Sequence, residues 1–268
     1  LTFSHTIVAN DIDLDGIALG NSGNIDLNTT GTIRDANTND AVLALGSPAV
    51  SGIFLTYPNM VGWWDLDLPG TVTTASCGII LCAAGVTDKT GNGYNLTQAG
   101  TPQPEYYANG FGTNNRGHLK FDGVNDFLNL ATLIPTIRTM IIVFQTENAA
   151  MTAQDLFFSS AGGANARVQV TAVGGLTYGG TAQAGWSRNG TTLTANATTG
   201  APALAAATRY ILAVRFSADQ TVAATQRVGN TNFGGKIAEI ITFNAGTALT
   251  DAQLLPIINY LNLKHAVY

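Results

Sequence analysis

Between Arg138 and Asn244 the chain alternates short apolar runs with glycine, asparagine and aspartate punctuation. The runs 138–147 (RTMIIVFQTE), 155–160 (DLFFSS), 166–173 (ARVQVTAV), 209–218 (RYILAVRFSA), 221–228 (TVAATQRV) and 236–244 (KIAEIITFN) are rich in β-branched and aromatic residues, which predicts strands. Gly162-Gly163, Gly174-Gly175, Asn189-Gly190 and Gly234-Gly235 fall between them as turn signals. Upstream, Leu119 and Phe121 alternate with His118 and Lys120, residues 122–126 (DGVND) form a polar turn, and Phe127, Leu128 and Leu130 restart the apolar pattern. This stretch predicts two strands of a sheet joined by that turn. The period changes only at the end. Thr250-Asp251-Ala252-Gln253 has the form of a capping box, and Leu254, Ile257, Ile258 and Leu261 follow at helical spacing, with Pro256 early in the helix. The alanine-rich stretch 201–207 is expected to be loop because Pro202 interrupts it.

Three segments in order, "VGWWDLD" (61–67) with "DKTGNGYNLTQ" (88–98), "HLKFDGVNDFLNL" (118–130) and "GKIAEIITFNAGTALTDAQLLPIINYLNLKH" (235–265), resemble the concanavalin A-like jelly rolls of the lectin/glucanase and laminin-G-like superfamily. The resemblance covers roughly residues 57–268 and implies an all-β sandwich with a short C-terminal helix packed on it. The first 46 residues are different. Asp13-Leu14-Asp15-Gly16-Ile17 and Ile33-Arg34-Asp35-Ala36-Asn37 resemble turns in the C-terminal half of the Ig-like repeats of bacterial surface proteins and phage structural proteins. The expected organisation is therefore a partial Ig-like β segment over 1–46, a linker over 47–57 and a sandwich over 58–268. A half-repeat leaves unpaired strand edges, so this segment is expected to pack on the sandwich or to pair with a neighbouring chain. The chain starts at Leu1 without a methionine or signal-like stretch, which reads as a piece of a longer protein.

Composition narrows the function. Twelve Lys and Arg against seventeen Asp and Glu give a net charge of −5, and the basic residues are scattered, which argues against nucleic acid as a partner. No apolar run approaches the length of about 18 residues that a membrane helix needs. Cys77 and Cys82 stand too far apart for a C-x-x-C motif. In an oxidising compartment they would form a local disulfide, favoured here because 71–76 and 83–87 read as loop; two buried thiols in an apolar strand are the alternative.

Candidate metal ligands are few. Asp11-x-Asp13-x-Asp15-Gly16 begins like an EF-hand loop, but Ser22 occupies the position that requires a bidentate glutamate. A looser calcium site on Asp11, Asp13 and Asp15 with Asp26 or Asp35 competes with the simpler reading that these side chains line one solvated strand face. Asp122, Asn125 and Asp126 could bind calcium or brace their turn through side-chain to backbone hydrogen bonds, and the turn role is preferred. Asp88 and Asn92 are read in the same way. No cofactor is required by any motif.

Catalysis finds no support in the motifs. The related glucanases carry E-x-D-x-E on one strand, whereas Glu105, Glu147 and Glu239 are the only glutamates and stand far apart. Glu239 reads as a strand residue of the family pattern. His5, His118 and His265 share no motif with a nucleophile elbow. Binding has more to work with, since carbohydrate sites pair an aromatic face with amides and charged groups. Trp63 and Trp64 are adjacent, so one should point inward and the other outward. Trp64 as the outward member, with Tyr178, Trp186, Arg188 and Asn189, forms the candidate glycan set; the competing reading places all three tryptophans in the core. The sequence thus points to a non-catalytic structural or adhesive module of a virion or extracellular surface assembly, homo-oligomeric and able to hold a glycan receptor. The alternative is a carbohydrate-binding module of an extracellular enzyme.

Overall fold

The computed structural model describes residues 59–268 except 69, 102, 148–153, 160–166, 171–175, 180–182, 194–203, 206, 222–225, 230–232, 245 and 247. The chain divides into two units, Leu1–Thr56 and Tyr57–Tyr268, and all described residues belong to the second. Asp11, Asp13, Asp15 and the rest of the Ig-like expectation lie outside the described residues.

The second unit is all-β and antiparallel, with one C-terminal helix. In chain order its strands are β1 (Met60–Asp65), β2 (Val72–Cys77), β3 (Ile80–Val86), β4 (Leu96–Thr97), β5 (Glu105–Phe111), β6 (Arg116–Asp122), β7 (Leu128–Leu130) and β8 (Thr136–Thr146). They continue as β9 (Gln154–Ser159), β10 (Arg167–Val170), β11 (Leu176–Gly179), β12 (Gln183–Arg188), β13 (Thr191–Leu193), β14 (Arg209–Thr221), β15 (Gln226–Val228) and β16 (Gly234–Phe243), before α1 (Asp251–His265). One curled sheet runs β11-β10-β9-β15-β7-β4-β3-β5-β6-β16-β8-β14-β12-β13, with β1 on β16 and β2 on β3. The polar turn at 122–126 therefore does not close a hairpin. It carries the chain from β6, paired with β5 and β16, across to β7, paired with β4 and β15.

Curling brings the two halves of the sheet face to face around an apolar core. Trp64, Leu119, Phe121, Ile142, Phe144, Leu212 and Val214 from one half meet Val86, Leu96, Leu128, Leu130, Phe157 and Val228 from the other. A second core covers the opposite face of β1, β8, β14 and β16, where Trp63, Ile141, Val143, Ile211, Ala213 and Ile241 pack against Leu254, Ile257, Ile258 and Leu261 of α1. Strands buried on both faces read as continuous apolar runs, which is why β8, β14 and β16 were legible. The capping box forms as expected, with Thr250 Oγ1 accepting from the Gln253 amide and the Gln253 side chain accepting from the Thr250 amide.

Several expectations are corrected. Residues 71–76 and 83–87, expected as loop, are largely β2 and β3, a hairpin with Cys77 opposite Ile80. Its two-residue turn needs a positive φ at the first position, which Gly78 supplies at +79°. Of the expected strand at 221–228, Thr221 ends β14 and residues 226–228 form β15, while 222–225 lie outside the described residues. Pro256 lies beyond the first turn of α1, so its missing N–H removes an intrahelical bond.

Candidate functional site

Among the described residues, the largest concentration of buried charge lies where β1, β16 and the end of α1 meet. Glu239, fully buried on β16, accepts from Trp63 Nε1 at 2.6 Å, Lys264 Nζ at 2.8 Å and His265 Nε2 at 2.7 Å. Lys264 also reaches Asp65 at 2.6 Å, and Asp65 pairs with Lys89 at 3.0 Å. The Lys89 ammonium sits 3.7 Å above the Trp63 ring. Two carboxylates and two ammonium groups thus balance one another inside the protein.

Burial works against the Glu239 charge, but Lys264 and the hydrogen bond from His265 overcome it and hold the carboxyl well below the usual range. Lys264 behaves reciprocally. Burial disfavours its ammonium, yet Glu239 and Asp65 keep it above the ordinary lysine value. Tyr260 is pushed up to about 12 by burial and by the Glu239 charge. Lys264 and His265 occupy the last turn of α1, where positive charge complements the helix dipole. The backbone is tied down as well: the Lys264 carbonyl accepts from Arg116 Nε at 3.0 Å and Asn114 Nδ2 at 3.1 Å, and Arg116 bonds Asp67 at 3.1 Å. With Glu239 and His265 out of reach of solvent, this arrangement clamps α1 to the sheet.

The sequence candidates lie on different strands. Trp64 is 1% exposed, and its Nε1 donates to the Tyr94 carbonyl at 2.8 Å, so the outward platform expected there is instead part of the inner core. Alternation along β1 does hold, but α1 covers the face that Trp63 occupies, leaving Trp63 only 6% exposed. Tyr178 lies on β11 and Trp186 on β12, strands at opposite ends of the sheet order with no pairing between them. Arg188 ends β12, and Asn189 begins the turn that follows. Asn189, at φ +50°, accepts from and donates to the Ile211 backbone at 2.9 Å, which fixes the β12–β13 turn.

The aspartates act on backbone. Asp122 Oδ1 accepts from the Val124 and Asn125 amides at 2.8 and 3.2 Å, and Asp126 Oδ2 accepts from the Asp122 amide at 2.9 Å. Burial pushes the Asp126 carboxyl up to about 6. Asp88 accepts from the amides of Trp63, Thr90 and Tyr94 and from the Thr90 hydroxyl. Among the described residues no group of three or more His, Cys, Asp or Glu side chains is placed to hold a metal ion.

Two surface features stand out among the described residues. Cys77 and Cys82 form a disulfide, with Cα atoms 5.8 Å apart, across the β2–β3 hairpin. Beyond it the tip presents Ile79, fully exposed, and Leu81, 52% exposed. The second feature is an open cleft of about 250 Å³ between the β12–β13 turn and α1, lined by Ser187, Gly190, Asp251, Leu254, Leu255 and Ile258 among others.

No protein-family model matches the chain, and no curated protein does. Among solved structures it is similar to Trypanosoma rangeli sialidase in complex with sialic acid, at 12% identity over 82% of this chain and 35% of that one, with a TM-score of 0.42. It is also similar to the botulinum neurotoxin serotype D binding domain, at 9% identity over 75% of this chain and 51% of that one, with a TM-score of 0.37. A botulinum neurotoxin type C structure, from work on its interaction with two ganglioside molecules, gives 9% identity over 76% of this chain and 51% of that one, with a TM-score of 0.35. The chain thus spans about a third to a half of the structures it matches. Such likenesses assign no residue and no activity to it. Among the described residues no helix is long and apolar enough to cross a membrane.

Proposed function

We propose that this chain is a non-catalytic structural or adhesive module of an extracellular or virion-surface assembly, built on a sandwich of the concanavalin A-like type. The observation that carries this reading is the disulfide-closed hairpin with its apolar tip. A fully exposed Ile79 beside a half-exposed Leu81, held rigid at the end of a two-stranded ribbon, is a surface that contact with a partner would bury. The disulfide suits an oxidising, extracellular setting. The spending of Glu239, Lys264 and His265 on clamping α1 supports a role that does not need acid–base chemistry.

The test is a capture experiment in which immobilised chain is probed with soluble chain and, separately, a glycan array is probed with labelled chain, each with and without a chelator. Capture of chain by chain supports the structural reading. Capture of defined glycans without self-capture moves the assignment to the carbohydrate-binding alternative. Turnover of a polysaccharide by the purified chain overturns it.

A further inference from the structure

We infer that the partner of the hairpin tip is a second copy of this chain, and that Ile79 and Leu81 of one copy seat in the α1 cleft of the next. The inference deepens the assembly reading above and rests on it. The two surfaces suit each other in size and polarity. The tip is aliphatic. The cleft offers Leu254, Leu255 and Ile258, and Leu255 is 49% exposed although it lies on the helix that otherwise covers the sheet. A cavity of about 150 Å³ takes a group the size of benzene, so one of about 250 Å³ has room for a branched aliphatic side chain.

Charge selects this partner over others. No Asp, Glu, Lys or Arg occurs from Leu68 to Thr87, so the ribbon carries nothing to pair with a lipid headgroup or a charged protein surface. The carboxylate at the cleft, Asp251, is paired with Arg215 at 2.7 Å. A neutral knob therefore meets a socket whose one carboxylate is already paired.

Tip and cleft are different patches of one unit, so the contact is heterologous. Each bound copy keeps one free tip and one free cleft, and the contact propagates into a ring or filament. A hairpin tip is much smaller than the roughly 800 Å² per partner of a standard stable interface, so each link is weak alone and gains strength from repetition.

The test is sedimentation velocity of the full 268-residue chain from about 10 μM to about 1 mM, the range in which a weak link becomes populated. The wild type is expected to form species larger than a dimer. Ile79→Asp and Leu255→Asp change exposed side chains, and each is expected to weaken association at least tenfold while melting as the wild type does. Mixed in equal amounts, they are expected to form a dimer and nothing larger, because one variant keeps an intact cleft and the other an intact tip. Assembly of either variant like the wild type overturns this contact and leaves the assembly reading standing. A monomeric wild type at every concentration also overturns the contact, and the capture experiment then decides the assembly reading. A wild type that assembles while the mixture stays monomeric shows that tip and cleft do not meet.

Discussion

Replacing Glu239 with Gln removes one charge from a buried set of four. Lys264 then keeps only Asp65, at 2.6 Å, and the set of Asp65, Lys89 and Lys264 carries an uncompensated positive charge. Breaking a buried ion pair by removing one partner costs about 3–5 kcal/mol, and the surviving Asp65 contact places this variant near 3 kcal/mol. Adding Lys264→Met removes the orphaned charge, so the double variant should be less destabilised than the sum of the two singles, by about 2 kcal/mol. Guanidinium denaturation followed by tryptophan fluorescence reads both quantities, because Trp63 Nε1 donates directly to Glu239. The pH dependence has a definite sign. The folded Glu239 carboxyl titrates below its unfolded value of about 4.3, so its contribution is present above that pH and is lost as the pH falls further. The acid limb of the stability profile should therefore be shallower in Glu239→Gln. A single variant within about 1 kcal/mol of wild type, or strict additivity in the double, refutes the clamp.

Phe121 is fully buried, lies 5.2 Å from the Phe233 ring and fills the space beside Gly229, so Phe121→Ala should cost about 3–4 kcal/mol, and near-native melting would contradict its place in the core. His118 is stacked on Tyr107 with its Nδ1 buried and unpartnered, and burial, then the Lys236 charge, hold it down at about 4. The neutral ring contributes stability above its unfolded pKa of about 6.5 that is lost as the pH falls towards 4, up to about 3 kcal/mol, and His118→Phe should flatten that slope in denaturation curves collected across the range. An unchanged slope in this variant would show that His118 is not the group responsible. Reducing the Cys77–Cys82 bond should lower stability by about 2 kcal/mol, given the short loop it closes, and an unchanged denaturation midpoint would show that the hairpin is rigid without it.

The sequence showed those parts of the fold whose side chains face one environment throughout. The central stretches 140–144 of β8, 210–214 of β14 and 240–243 of β16 are buried on both faces and read as apolar runs, while Thr250 and Gln253 mark the helix start by local chemistry alone. β2 was hidden because Val72-Thr73-Thr74-Ala75-Ser76-Cys77 pairs on one side only and keeps much of its surface in water, so its composition resembles a loop. The error at Trp64 has a different origin. Alternation correctly puts Trp63 and Trp64 on opposite faces, but the predicted helix covers the outer face, and that consequence places both rings in core. The Glu239 clamp was invisible because its members come from positions 63, 65, 89, 239, 264 and 265. The available signal was scarcity: in a chain with 11% charged residues, a Lys-His pair at the end of an apolar helix needs acidic partners.

The central claim, that the apolar hairpin tip exists to be covered by another copy, is tested most directly by the light-scattering mass of the wild-type chain as a function of concentration. The mass should rise above the 27.8 kDa monomer and keep rising past the dimer as concentration approaches about 1 mM. A mass that stays at the monomer value across that range, with the disulfide intact, would contradict it.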